Sequence, residues 1–188
     1  MSVTVVKVGG SLYDWNELGP RLRLFLATLP SPVLIVPGGG PTADAIRLLA
    51  ATHSLGDELA HWLALKTCSI NGHVLAKLLG SLPITTHVDD VNDKAVVDLY
   101  AFAADDERRP DHWPHLWDVT SDSMAVRVAA VAGARELVLL KSIDIASDDW
   151  SVAAASGAVD PFFPTAVARS PKMIVRTINL RRFPAKDS

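Results

Sequence analysis

Apolar residues along this chain fall into two kinds of run. Residues 3–8, 33–36 and 136–140 are short stretches apolar on both alternating faces. They predict strands covered on both sides, as in a parallel sheet. Residues 174–178 predict a terminal strand. Elsewhere apolar positions recur at helical spacing: residues 15–29, closed by Pro30 and Pro32; about 42–51; 57–79; and 121–132. In the long helix the apolar positions are Leu59, Trp62, Leu63, Leu65, Leu75, Leu78 and Leu79. Residues 96–102 read equally as strand or helix, and the polar, proline-bearing stretch 104–117 reads as a surface loop. Strand and helix alternate, which predicts an α/β fold: a three-layer α/β/α sandwich around a mainly parallel open sheet. Residues 1–188 are expected to form one domain with a substantial core.

Two of the strands empty into glycine. The first delivers a lysine into Lys7-Val8-Gly9-Gly10-Ser11, the second ends in Pro37-Gly38-Gly39-Gly40-Pro41. Either loop alone could be no more than a tight strand-to-helix turn. Together, one of them carrying a lysine, they point to backbone N–H groups approaching phosphate oxygens. Composition then narrows the setting. An apolar content of 49% argues against disorder, and a net charge of -3 argues against a nucleic-acid carrier. No apolar stretch reaches membrane-spanning length and the amino terminus has a strand pattern, so a cytoplasmic protein is expected. Cys68 is the single cysteine, which excludes an intrachain disulfide or a cysteine-based zinc cluster. No protein ligands to a metal are assigned.

Two further segments carry chemistry. In Trp117-Asp118-Val119-Thr120-Ser121-Asp122-Ser123, Thr120 or Ser121 can cap a helix whose first turn holds Asp122. Alone, Asp122 would be a helix-dipole partner. Leu140-Lys141-Ser142-Ile143-Asp144 places a lysine at the carboxyl end of a hydrophobic strand, the edge where open α/β sheets hold ligands. A lysine there could simply reach solvent. Two strand-end lysines with an aspartate able to sit between them suit phosphoryl transfer, where catalysis is positioning and charge neutralisation.

These four segments, in this order, resemble the amino acid kinase superfamily, which includes acetylglutamate, carbamate, aspartate, uridylate and isopentenyl phosphate kinases. Within it the chain is most similar to the small kinases of methanofuran biosynthesis, which phosphorylate an aminomethylfuranyl methyl phosphate. That similarity rests on Asp57-Glu58-Leu59-Ala60-His61-Trp62, the segment from Trp117, and Val159-Asp160-Pro161-Phe162-Phe163-Pro164. The resemblance implies ATP, carried with Mg2+, over the carboxyl-terminal half of the sheet. Lys7 and Lys141 would neutralise the transferring group and Asp122 would hold them, making these three the catalytic set. Gly9, Gly10, Ser11, Thr120, Ser121, Ser142, Asp144, Asp160 and Phe162 would face the nucleotide. Gly38, Gly39 and Gly40, with Asp57 for a cationic amine and His61 for phosphate, would face the acceptor. A homodimer through the 57–79 helix is also implied. His53 and His73 read as surface or packing residues. Where many relatives follow the late strand with Val-Asp-Gly, this chain has Ile143-Asp144-Ile145, and little sequence separates Asp144 from Asp160 to form a lid. The alternative to a kinase is therefore a catalytically silent nucleotide- or anion-binding protein of the same fold.

Overall fold

Six strands pair in parallel throughout, in the order β3-β4-β2-β1-β5-β6, in a computed structural model that describes residues 3–147 and 149–184. The strands are β1 (Thr4–Val8), β2 (Val33–Pro37), β3 (Ile84–Thr85), β4 (Lys94–Val97), β5 (Glu136–Lys141) and β6 (Ile174–Asn179). The helices are α1 (Leu18–Leu26), α2 (Gly40–His53), α3 (Asp57–Leu78), α4 (Leu99–Asp106), α5 (Ser121–Val131), α6 (Trp150–Ala155) and α7 (Phe163–Ala168). Strand alternation divides the core in two. Val6, Val8, Ile35, Val138 and Leu140 meet Leu18, Leu22 and Phe25 of α1 on one face. Val5, Leu34, Val36, Leu137 and Leu139 meet Phe102 of α4 and Met124, Ala125 and Val128 of α5 on the other. Full burial of each such side chain contributes about 1.5–3 kcal/mol, so both faces need their helical layer. This is the predicted three-layer α/β/α sandwich with an all-parallel sheet.

From β1 the chain adds β2, then β3 at the edge and β4 between β2 and β3, and returns to add β5 and β6 on the other side of β1. The carboxyl ends of β1 and β5 therefore flank the point where winding reverses. There the connecting loops diverge and leave a crevice.

Several expectations are adjusted. The helix expected over 15–29 is confined to α1. Residues 10–12 form a 3-10 turn, Pro20 sits in the first turn of α1, and Thr28 Oγ1 donates to Phe25 O at 2.7 Å where the chain leaves the helix. The ambiguous 96–102 stretch is both things: β4 ends at Val97, Asp98 accepts from Ala101 N at 3.1 Å as a cap, and α4 follows. The 104–117 stretch is more than a surface loop. α4 continues into it, Trp113 is buried, and buried Asp106 pairs with Arg127 at 2.7 Å. No helix among the described residues is long and apolar enough to cross a membrane.

Candidate active site

Lys7 breaks an otherwise apolar strand, and register explains where it points. It pairs with Leu139, two residues before Lys141, so both lysines project from the same face of adjacent strands. α5 covers that face, and its first turn brings Asp122 between them. Lys7 Nζ lies 2.6 Å from Asp122 Oδ1, and Lys141 Nζ donates to Asp122 Oδ2 at 2.7 Å. All three side chains are buried. Burial pushes the Asp122 carboxyl up, but the two ammonium groups outweigh it and hold it at about 2. Burial and the charge of Lys7 bring Lys141 down to about 8, against the pull of Asp122. Two cations on one carboxylate leave positive charge in a desolvated place. Such an arrangement is costly for stability and typical of a site that receives an anion.

Above the lysines the two glycine loops touch backbone to backbone. A Cβ on Gly10 would lie 2.5 Å from Gly40 N, and Gly40 itself takes φ +53°, so neither position accommodates a side chain. Ser11 Oγ and Ser142 Oγ, 2.7 Å apart, tie the β1 loop to the β5 loop. Asn71 Nδ2 donates to Gly38 O at 2.8 Å and Gly39 O at 2.7 Å from inside α3. Asn71 was not foreseen; its signal is an amide among the apolar positions of a long helix.

These elements enclose one cleft of about 310 Å3. Among the expected residues it gathers Lys7, Gly9, Gly10, Ser11, Gly39, Gly40, His61, Thr120, Ser121, Asp122, Lys141 and Ser142. Five others lie off its wall. Gly38 sits behind it, with no room for a Cβ against Val8 O. Asp57 lines an adjoining hollow with Gly56, Arg47 and Trp117. Asp144 pairs with Arg182 at 2.6 Å and accepts from Asn179 at 3.1 Å. Asp160 accepts from Thr120 N at 3.1 Å and Ser123 N at 2.9 Å, capping α5 from a distant segment. Burial and the Asp122 charge hold its carboxyl above the ordinary value despite those bonds. Phe162 packs edge-on against Trp113, centroids 5.3 Å apart.

Two charged cleft residues, Asp44 and Arg47, escape the sequence reading. Arg47 on α2 lies over the Trp117 ring, 5.7 Å from its centroid, and pairs with Asp44 at 2.6 Å. Asp44 and Arg47 follow Gly40 at spacings of four and seven, a helical face that starts at the glycine loop. His61 is buried on the cleft wall with Nδ1 3.4 Å from Leu116 O, and burial lowers its basicity.

Comparison with known proteins places this geometry. The family model described as the amino acid kinase family matches residues 2–152. A curated relative, the (5-(aminomethyl)furan-3-yl)methyl phosphate kinase of Methanocaldococcus jannaschii, is 27% identical over 143 residues, covering 74% of this chain. The match spans 66% of that relative, just under two thirds of its length. Among solved structures, the UMP kinase of Bacillus anthracis superimposes with a TM-score of 0.65 at 15% identity, covering 96% of this chain and 88% of its own. The uridylate kinase of Archaeoglobus fulgidus gives 0.61 at 14%, covering 95% and 90%. At such identities the two structures speak for the fold alone.

Proposed function

The chain belongs to the amino acid kinase family, and we propose that it is an ATP-dependent small-molecule kinase whose acceptor is an aminomethylfuranyl methyl phosphate. The observation that carries the reading is the buried Lys7–Asp122–Lys141 set at the winding reversal, beneath two glycine loops. The γ-phosphoryl group would pass between the lysines, which neutralise its equatorial oxygens. Asp122, ionised throughout the physiological range, acts as a positioning residue and not as a base. None is needed, because a phosphate oxygen reaches the reaction already deprotonated. Mg2+ would enter on the nucleotide and screen its phosphates, since both oxygens of Asp122 are occupied by ammonium groups.

The acceptor side divides by charge. Arg47, at the mouth, offers a fork to the acceptor phosphate. His61 is assigned differently from the sequence expectation. Leu116 O can only accept, so the proton sits on Nδ1 and Nε2 keeps a lone pair, suited to the aminomethyl group and not to phosphate. Asp57, in the adjoining hollow, would hold the same cationic end. The nucleotide would lie toward Ser11, Thr120, Ser121 and Ser142, and residues 1–188 would act as one domain.

One observation favours the silent alternative. Asp144 is tied to Arg182 and Asn179 beside the cleft instead of facing it, and Ile145 stands where relatives turn with glycine. Incubation with Mg2+, ATP and the aminomethylfuranyl methyl phosphate, read by phosphorus NMR, decides between the two. The expected result is conversion of the monophosphate signal into a coupled diphosphate pair, with ADP. ATP binding with no transfer to this acceptor, UMP, acetylglutamate or isopentenyl phosphate would establish the silent reading.

A further inference from the structure

The stretch between α4 and α5 brings His115 against Glu58, His61 and Trp62 at the amino end of α3. His115 stands between two carboxylates: Nδ1 is 2.8 Å from Glu58 Oε2, and Nε2 is 2.9 Å from Glu107 Oε1. His112 Nδ1 lies 3.4 Å from the same Glu107 oxygen and 3.1 Å from Trp113 O. One donor atom each from Glu107, His112 and His115 lie within 4.8 Å of one another. The His115 ring is held on both sides, stacked on His61 with centroids 5.2 Å apart and edge-on to Trp62 at 4.9 Å. Its side chain is 17% exposed, which leaves the cluster a path to solvent.

We propose that Glu107, His112 and His115 form a binding site for a divalent transition metal, with zinc the ion that fits best. Three properties support it. Ligands about 2.0–2.2 Å from a tetrahedral zinc sit roughly 3.3–3.5 Å from one another. The two measured edges, 2.9 and 3.4 Å, are already on that scale. Two imidazoles and one carboxylate, with a fourth position for water, suit zinc and disfavour magnesium or calcium, which take oxygen donors. The third property is the partner behind the ligand. Glu58 Oε2 faces the far nitrogen of His115, and Glu58 Oε1 is itself fixed by a 2.9 Å bond from Trp62 Nε1. A carboxylate there sets the tautomer and leaves Nε2 with the lone pair a metal needs. For His112 the ligand atom is Nδ1, 3.4 Å from Glu107 Oε1, and the ion takes the place of the proton that Nδ1 shares with Trp113 O in the metal-free chain.

Such an ion fastens the end of α4 to the loop that goes on to Trp117, Val119 and Thr120 on the cleft wall, with Glu58 anchoring the assembly to α3. It is a structural clip beside the cleft, in touch with the cleft wall through the stacking of His115 on His61. The test uses the full chain freed of metal by chelation and titrated with Zn2+ calorimetrically, with excess Mg2+ present to fill nonspecific carboxylate positions. One Zn2+ per chain is expected, together with a melting temperature that rises on Zn2+ addition. Co2+ used in its place is expected to give the visible absorption of a four- or five-coordinate ion with nitrogen ligands. His112→Gln and Glu107→Gln each weaken binding tenfold or more, Glu58→Gln by about 10–100-fold, and the surface control His73→Gln leaves it unchanged. Melting of each metal-free variant at the wild-type temperature shows that loss of binding is not loss of folding. Absence of stoichiometric Zn2+ and Co2+ binding by the wild-type chain overturns the proposal. So does equal affinity in wild type and His112→Gln.

Discussion

Replacing Lys7 by methionine should raise the pKa of Lys141. In the wild-type chain Lys141 titrates at about 8 instead of 10.5, which makes its neutral form easier to reach by about 3 kcal/mol. Burial is the larger cause and the neighbouring Lys7 charge the second, with Asp122 pulling the other way. Methionine keeps the length and the burial of the side chain and deletes only the charge. Asp122, now left to one ammonium, holds Lys141 more strongly. A like charge at such range is worth about 1–3 pH units, so the Lys141 titration should move upward by about one unit or more. Lysine labelled with a heavy carbon isotope at Cε, followed by NMR through the alkaline range, reads this directly; Lys141→Arg identifies the signal. A Lys141 signal in Lys7→Met that titrates at or below its wild-type position would refute the coupling. The same coupling has a kinetic face. Wild-type kcat/KM should fall as pH rises through about 8, because a deprotonated Lys141 no longer neutralises an incoming phosphate.

Gly10→Ala forces a Cβ against the Gly40 backbone, 2.5 Å from its nitrogen, and should destabilise the fold by about 1–3 kcal/mol, seen as a lowered melting temperature; an unchanged melt would mean the loops move apart freely. Arg47→Ala should raise KM for the phosphorylated acceptor by about 10–100-fold with ATP affinity unchanged, the loss of a charge-assisted hydrogen bond; equal loss for both ligands would place Arg47 elsewhere. The proposed homodimer would use Leu59, Ile70 and Val74, the apolar residues that α3 leaves exposed. Ile70→Arg should then convert a dimer to a monomer in sedimentation velocity, and a wild-type monomer at micromolar concentration would remove the dimer from the account.

The sheet was legible because its central strands are short runs apolar on both faces, two of them closed by glycine, a pattern that separates them from the longer helical segments. Lys7 and Lys141 were legible as exceptions to it, and parallel register turned two sequence positions into one face. The rest was hidden for specific reasons. β3 is two residues long and half-buried, too short to show a period. On α3, the apolar positions fall on more than one face: Leu65 and Leu75 are buried while Leu59 is exposed, and polar Thr67 and Asn71 are buried. The helix serves the glycine loops as well as the core. Asp160 is given a nucleotide role only by the resemblance, and its bonds to Thr120 and Ser123 depend on a contact 37–40 residues away in sequence. Glu107, His112 and His115 lie within nine residues, yet they read as part of a polar surface loop because Glu58, the partner behind His115, comes from another helix.

The most direct test of the central claim is steady-state ADP release with Mg2+, ATP and the aminomethylfuranyl methyl phosphate, compared across wild type, Lys7→Met and Lys141→Met. If the two lysines carry the transferring phosphoryl group, each replacement lowers kcat by about 100-fold or more while the far-ultraviolet circular dichroism stays that of the wild type. Turnover within threefold of wild type in either well-folded variant would contradict a phosphoryl-transfer centre built on Lys7, Asp122 and Lys141.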